Sequence, residues 1–314
     1  MKFPIFPTAA STTATHVDTL FWFLCAMSVF FILLIFIPMF FFLFKYRRGK
    51  PANRAPLRIS TLKIEMTWTL IPLGLLIVIF VWSSSIYYSM AHVPPAAMEI
   101  NVVGKQWMWK IQHAEGNREI NELHVPVGQT IKLNLASQDV IHSFYLPEFR
   151  IKQDVVPGRY RAEWFTATKV GTFRIFCAEY CGTVHSGMIG KVIVMPPDKY
   201  QRWLSAEQPP ESLVKSGERL FRELGCSGCH MGNSQVRAPR LEGLYGRPVP
   251  LSNGQFVRGD EAYIRDSILL PQSQIAAGYE PLMPTFAGRV SEEEIMELIA
   301  YIKSLRPFKA EVKP

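Results

Sequence analysis

The chain begins with two long apolar stretches. Residues 20–44 are almost wholly apolar, and a second apolar run covers residues 68–88. Each is long enough for the roughly 20 residues that span the hydrocarbon core of a bilayer. Tryptophan and tyrosine stand near the ends of the second run, where their rings favour the membrane interface. The pattern predicts a transmembrane hairpin over residues 20–90, with helices at about 20–44 and 68–90.

The loop between the two helices, residues 45–67, is strongly basic. It carries seven lysine or arginine residues, among them Arg54 and Arg58, against a single acid, Glu65. The positive-inside bias places this loop in the cytoplasm and residues 1–19 outside. The first apolar run is too long and too far from the start for a cleavable signal, so we expect the first helix to be retained.

After the hairpin the pattern changes to short runs that are typical of strands. Residues 91–195 contain IKLNLA, in which apolar and polar positions alternate, and KVIVM, with glycine and proline between such runs. This indicates an all-β sandwich or barrel. Paired prolines and polar residues predict an exposed linker over 196–212. Residues 213–308 are expected to form a helix-rich domain, and 309–314 a tail.

Composition and charge fit this division into modules. The 314 residues are enough for two soluble domains and an anchor, and the 48% hydrophobic content agrees. A net charge of +8 is compatible with a nucleic-acid partner. The basic residues, however, cluster where a membrane explains them, so we expect no nucleic acid.

The stretch 177–188 reads CAEYCGTVHSGM and concentrates side chains that bind soft metals. Two thiolates, imidazole and thioether form the set that copper prefers. A structural disulfide is the alternative, since the outer side of a membrane permits one. A mononuclear blue-copper site needs one cysteine, so two cysteines suit a dinuclear site. The ligand-type residues are Cys177, Cys181, His185 and Met188, with His142 upstream.

The sequence CSGCH is the signature of covalent haem attachment. Cys226 and Cys229 are expected to form thioether bonds to the haem, and His230 to bind its iron. The opposite iron ligand should be a methionine, because no histidine follows His230 in the sequence. We favour Met283 for this role.

The choice among the methionines of this domain rests on local context. Met231 is adjacent to the haem-binding histidine and cannot reach the opposite face. Met296 lies in a predicted helix with a capping box formed by Ser291 and Glu294, where methionine is more often a packing residue. Met283 sits in PLMPTF, an extended loop bounded by proline. Methionine with histidine ligation raises the potential of a haem.

These motifs carry a resemblance to a known family. CAEYCGTVHSGM, QDVIHSFYLPEFRIKQDVVPGR, QWMW and EMTWTLIP resemble cytochrome c oxidase subunit II over residues from about 20 to 205, and PLMPTF resembles the Met-Pro of class I cytochromes c. The resemblance implies a multidomain membrane protein: a two-helix hairpin, an all-β cupredoxin barrel and an all-α cytochrome c domain. It implies a dinuclear CuA centre, with these ligands: bridging Cys177 and Cys181, His142, His185, weak Met188 and the backbone carbonyl of Glu179.

Three further roles follow from the resemblance alone. The carboxylate of Glu179 points toward magnesium or manganese at the interface with the catalytic subunit in such proteins. Trp107 resembles the aromatic residue through which electrons enter, and Glu65 resembles an acid near the mouth of a proton channel. Each residue also has a plainer interpretation, respectively a loop glutamate, a buried packing residue and a charge at the start of a helix.

The resemblance implies the electron-input subunit of a bacterial cytochrome c oxidase of the aa type, in the inner membrane, with copper and haem domains on the periplasmic side. Its partners are subunit I, other oxidase subunits and an external cytochrome c or equivalent donor. Two helices cannot supply the histidines of an oxygen-reducing site, so that site lies in subunit I. The alternatives are the input subunit of a CuA-containing nitric oxide reductase and a copper carrier, against which CSGCH argues. Four other histidines are expected at the surface: His16, His92, His113 and His124.

Overall fold

The structure is a computed structural model that describes residues 6–51, 60–206, 211–231 and 238–305. The chain divides into two compact units, one of residues 12–93 and the other of the remaining chain. Arg54 and Arg58 of the basic loop, together with the predicted tail, lie outside the described residues.

The smaller unit is a pair of long apolar helices, α1 (Thr12–Lys45) and α2 (Thr61–Ala91). Both are long and apolar enough to cross a membrane, and their most apolar windows are unburied. Rings of Phe23 and Trp82 meet between them, with centroids 5.4 Å apart. Each helix begins before its apolar run, because hydropathy marks only the part that suits lipid, whereas backbone hydrogen bonding continues through the polar residues at the ends.

A domain of two five-stranded sheets follows. Its strands are β1 Met98–Lys105, β2 Met108–His113, β3 Arg118–Ile120, β4 Glu122–Pro126, β5 Thr130–Ser137, β6 His142–Leu146, β7 Ile151–Val155, β8 Arg161–Thr166, β9 Gly171–Cys177 and β10 Ile189–Met195. In one sheet the order is β3-β2-β1-β5-β8, and in the other it is β4-β10-β9-β6-β7. The β1–β5 and β4–β10 pairs are parallel and the others antiparallel. The prediction of an all-β domain is confirmed.

Strand β5 shows how the alternating pattern builds this core. Ile131, Leu133 and Leu135 are fully buried between the sheets, while Lys132 and Asn134 point to the other face. Successive side chains of a strand alternate between faces, so an apolar residue at every second position creates one buried face. Each such side chain contributes about 1.5–3 kcal/mol by leaving water.

Most of the segment predicted to be an exposed linker, residues 196–212, is helical in the structure. Helix α3 (Pro197–Ala206) forms there and packs onto the β-domain through Tyr200, which is fully buried, and Leu204. Tyr200 and Trp203 stack with ring centroids 5.7 Å apart. The paired prolines indicate a break between two domains. The apolar side chains that follow them, however, lie on one face of a helix, and the β-domain covers that face.

The C-terminal domain is built on a contact between two helices, α4 and α7. Its elements are α4 Leu213–Glu223, α5 Ser227–His230, β11 Pro248–Pro250, β12 Phe256–Arg258, α6 Glu261–Leu269 and α7 Glu292–Ser304, with β11 and β12 forming a small ribbon. Gly217 allows the contact between α4 and α7, since a Cβ there would lie 1.9 Å from the carbonyl oxygen of Glu297. Phe221 and Tyr301 pack across the same contact, with ring centroids 5.3 Å apart. The predicted capping box at the start of α7 is present.

Candidate metal centres

Two neighbouring strands and one loop bring the predicted copper ligands together. His142 is the first residue of β6 and Cys177 the last of β9, and these strands pair. The loop that follows β9 carries Cys181 and a short 3-10 turn from His185 to Gly187. Met188 is buried just before β10. The fold thus brings residues that are distant in sequence together at one end of these strands.

The donor atoms converge around the two cysteine sulfurs. The Sγ atoms of Cys177 and Cys181 are 3.8 Å apart, well beyond disulfide bonding distance, and both thiols are free. Nδ1 of His142 lies 3.9 Å from the first sulfur. Nδ1 of His185 and Sδ of Met188 lie 3.5 Å and 3.8 Å from the second. This soft donor set fits copper, with one histidine beside each sulfur.

The backbone carbonyl of Glu179 completes the arrangement. Its oxygen is 3.2 Å from Sγ of Cys177, where the resemblance expects a carbonyl ligand. Its side chain is exposed, so the carboxylate is available to a hard cation outside the copper site.

The pKa values of the predicted ligands reflect how closely the ligands are packed. Burial lowers the pKa of His142, but hydrogen bonds with Cys177 and Asp139 outweigh it and the pKa is raised. Burial opposes ionisation of Cys177, yet the hydrogen bond from His142 brings the pKa of that thiol below its ordinary value. Burial and the charge of Cys177 raise the pKa of Cys181. Cys177 therefore ionises before Cys181, because the charge of the first thiolate opposes ionisation of the second thiol.

Sequence reasoning missed two residues that support the ligands. Asp139 Oδ1 lies 2.8 Å from Nε2 of His142. Trp109 is fully buried and packs edge-on against the same imidazole, with ring centroids 5.8 Å apart. The spacing of Asp139, three residues before the histidine, is the signal that could have indicated it.

Trp107 lies against the loop of residues 178–188, called the copper loop below because it carries Cys181, His185 and Met188. Its Nε1 donates to the carbonyl oxygen of Cys181 at 3.3 Å, and Gln106 Nε2 donates to the same oxygen at 2.8 Å. Trp107 is half-buried rather than enclosed in the core. Trp107 is thus hydrogen-bonded to the backbone of a predicted copper ligand. Glu65 is exposed near the start of α2, in the unit of residues 12–93.

The C-terminal domain contains a second candidate site, an apolar cavity of about 430 Å³. His230 Nδ1 donates a hydrogen bond to the carbonyl oxygen of Pro239 at 2.8 Å, because a carbonyl can only accept. Its other nitrogen is therefore free to bind iron. The predicted haem-binding residues all line this cavity: Cys226, Cys229, His230 and Met283.

Met296 does not line the haem cavity. It packs instead against Val103 and Ala136 of the β-domain. The geometry therefore supports the choice of Met283 over Met296 as the methionine ligand.

Two of the unassigned histidines are not at the surface. His113, expected to be exposed, is fully buried, with Nε2 2.8 Å from Glu119 Oε1 and Nδ1 3.2 Å from the hydroxyl of Tyr200. His124 is partly buried, contacts the same Glu119 carboxylate and stacks on Trp203 at 4.4 Å. Trp203 of helix α3 packs against both rings. The prediction of surface histidines was wrong because α3, which covers them, forms within the segment expected to be an exposed linker.

The fold and the two sites define a membrane-anchored electron-transfer protein with a copper-type β-domain and a cytochrome-type domain. Comparisons with known proteins agree. Residues 2–86 match the transmembrane domain of cytochrome c oxidase subunit II, residues 115–195 its periplasmic domain and residues 214–306 the cytochrome c family.

Individual relatives extend over most of the chain. Cytochrome c oxidase subunit 2 of Alkalihalophilus pseudofirmus is 32% identical over 87% of this chain and 82% of its own length. The subunit 2 of Bacillus sp. strain PS3 is 26% identical over 84% and 80%. A crystal structure of the periplasmic domain of subunit II from Bradyrhizobium japonicum is 32% identical, covering 37% of this chain and 96% of that one, with a TM-score of 0.36.

The chain belongs to the cytochrome c oxidase subunit II family. It is a membrane component of an oxidoreductase complex, with an electron-input role and a subunit I partner. Its periplasmic-type domain implies the CuA copper centre and its cytochrome c domain implies haem.

Proposed function

We propose that this chain is the electron-input subunit of an aa-type bacterial cytochrome c oxidase with covalent haem c. The observation that carries the proposal is the convergence, in one chain, of a paired-cysteine site flanked by two histidines and a cavity lined by CSGCH and a methionine. The names of the relatives, all cytochrome c oxidases, support oxygen as the final acceptor over nitric oxide.

The residues of the chain have distinct tasks in this function. Cys177 and Cys181 would hold the copper pair through their sulfurs, and His142 and His185, one beside each sulfur, would supply the imidazole ligands. Met188 and the Glu179 carbonyl complete the set. When bound, the haem and the copper pair supply two successive one-electron carriers between an external donor and subunit I.

The haem is held by a separate set of residues. Cys226 and Cys229 would anchor it covalently, while His230 and Met283 would supply the protein ligands of the iron. The hydrogen bond from His230 to the Pro239 carbonyl fixes the orientation of the ring.

Several finer assignments belong to the same proposal. An external cytochrome c or equivalent donor docks on the haem domain, and both centres lie on the periplasmic side of the inner membrane. Trp107 lies where electrons reach the copper loop, supported by its hydrogen bond to Cys181. The exposed Glu179 carboxylate contributes to a magnesium or manganese site with subunit I, and Glu65 lies at a proton-channel mouth.

Metal and haem analysis of the purified complex, with electron paramagnetic resonance, tests the proposal. We expect two coppers that share one unpaired electron, and haem that stays with this chain under denaturing conditions. A single isolated cupric ion, or haem that separates from the chain, would contradict it.

A Cys226→Ser/Cys229→Ser variant tests the position of the donor. If the donor docks on the haem domain, oxidation of external cytochrome c should be lost while the copper signal remains. Undiminished oxidation in a variant shown to lack haem c would mean that the donor reaches copper directly.

A further inference from the structure

Helix α7 stands between the haem cavity and the copper domain. Leu298 and Ile302 line the haem cavity. On another side of the same helix, Met296 packs against Val103 of β1 and Ala136 of β5, and it is 4% exposed. One helix therefore forms a wall of one site and contacts the domain that contains the other.

The strand that Met296 touches leads directly to a copper ligand. Gly104 follows Val103 in β1, and its backbone lies against the imidazole of His142. A Cβ added at Gly104 would be 3.0 Å from Cδ2 of that ring. The line from Met296 to His142 thus consists of one side-chain contact, one peptide link and a second close contact.

Acidic side chains of α7 meet basic side chains of the copper domain around this line. Glu293 Oε1 is 2.5 Å from Lys110 Nζ, and Glu297 Oε1 is 2.5 Å from Arg118 Nη2. The side chains of Glu293 and Glu297 are 16% and 3% exposed. Charges withdrawn from water to this extent interact more strongly than fully exposed pairs, and either acid would be costly to leave alone.

A third acid of α7 joins the two domains through a shared network. Arg265 binds Glu292 at 2.5 Å within the haem domain. From the copper domain, the hydroxyl of Tyr160 donates to the same carboxylate at 3.1 Å, and Arg265 Nη1 donates to the carbonyl of Gly158 at 3.3 Å. Three acids of one helix therefore have separate partners in the β-domain, and these contacts together favour one orientation of the helix.

We propose that Met296 is a positioning residue for electron transfer between the two centres, held by these polar contacts in a permanent junction rather than a loose tether. The proposal rests on the proposed function, since it takes the two sites to hold haem and copper. Electron transfer through protein weakens with distance and with unfilled gaps. A well-packed side chain at the crossing keeps both constant.

A photoexcited ruthenium complex with a sacrificial electron donor reduces the haem rapidly in the purified oxidase, and absorbance at the haem and copper bands then measures this transfer. Met296→Ala should keep full haem and copper content but slow the transfer several-fold, because the truncation leaves a cavity at the crossing. Met296→Leu, which keeps most of the volume, should stay close to the wild-type rate. A Met296→Ala rate equal to wild type would overturn the positioning role.

Charge reversal tests the junction without touching the packed line. Lys110→Glu should slow the transfer and increase hydrogen exchange of β1 and α7 amides, and Lys110→Glu/Glu293→Lys should restore both. Exchange of amides is a readout that does not depend on turnover. An unchanged rate and exchange pattern in Lys110→Glu would overturn the permanent junction.

The two proposals fail in distinguishable ways. If electrons from reduced haem do not reach copper in the wild-type oxidase, the proposed function fails, and no variant is needed to see it. If wild-type transfer is fast and the Met296→Ala and Lys110→Glu variants leave it unchanged, the proposed function stands and the positioning role is wrong.

Discussion

The Nε2 atom of His142 lies 2.8 Å from Oδ1 of Asp139. The other carboxylate oxygen, Oδ2, accepts the backbone N–H of Gln106 at 2.7 Å. The Gln106 N–H thus holds the Asp139 carboxylate in place, and the carboxylate in turn orients the imidazole of His142. Because an ionised carboxylate accepts, Nε2 carries a proton in either form of the ring. In the neutral imidazole, the form that binds a metal, Nδ1 is therefore the nitrogen with the lone pair, and it faces Cys177.

Removing this support should weaken copper binding. We expect Asp139→Ala to lower copper affinity by roughly 10–100-fold, the usual cost of losing the partner of a metal-binding histidine. Asp139→Asn should lose less, because the amide oxygen can still accept from Nε2. Competition against a chelator of known affinity measures both.

A matched control is Asp154→Asn. That carboxylate bonds Ser143 and Lys152 near the same strand and contacts no predicted ligand. It should leave copper affinity unchanged. Equal losses in the Asp139 and Asp154 variants would mean that general damage to the domain, rather than the histidine, is responsible.

The two cysteines of the copper site should not substitute for each other. Cys177→Ser or Cys181→Ser leaves one thiolate, so the pair of soft sulfur donors that would hold two copper ions together is lost. Each variant is expected to lose the spectrum of a shared unpaired electron and to show that of an isolated cupric ion, or to bind no copper. Cys25→Ser, in α1, is the control. A shared-electron spectrum that survives either change would show that the ions are held otherwise.

The parts of this protein that could be predicted from sequence are those whose signal is local. The copper ligands could be predicted because Cys177, Cys181 and His185 lie close together in the sequence. Strand β5 could be predicted because its apolar residues alternate with polar ones. Contacts made across the fold left no such signal. His113 belongs to a strand, yet the groups that bury it, Glu119 and Tyr200, come from another strand and from α3.

The docking of α7 shows the same limit. In the sequence its acids resemble those of any solvated helix. Their partners Lys110 and Arg118 lie more than a hundred residues earlier. Only the folded chain shows that Met296 belongs to the junction.

The haem cavity provides a direct comparison between two methionines. Met283→Ala should remove the sixth ligand and lower the haem potential, since methionine ligation raises it. The oxidised haem should also change toward a high-spin spectrum. Optical redox titration of the purified complex measures both effects.

Met231→Leu is the matched control for that prediction. Met231 directly follows the haem-binding histidine and is 48% exposed, so its replacement should leave both potential and spin state unchanged. If the Met283 variant keeps the wild-type potential, another group binds the iron.

Glu163 of β8 is an acid inside the β-domain core. It is 9% exposed, and within the described part of the chain its Oε2 has no hydrogen-bond partner. Burial raises its pKa from 4.5 to about 8, against a weak opposing attraction from Lys152. In the folded protein the carboxyl therefore stays protonated at pH values where the unfolded chain has already released the proton.

The sign of the resulting pH dependence follows from linkage. A carboxyl whose folded-state pKa is raised does not affect stability below pH 4.5, where both states hold the proton. It disfavours folding increasingly up to about pH 8. Glu163→Gln removes this penalty, which amounts to roughly 3–5 kcal/mol at most. The Tm of the variant should match wild type near pH 4.5, exceed it progressively up to pH 8 and then keep a constant lead. Glu122→Gln, at an exposed pair with Lys191, should show no such trend, and a lead for Glu163→Gln that is equally large at pH 4.5 would refute the raised pKa.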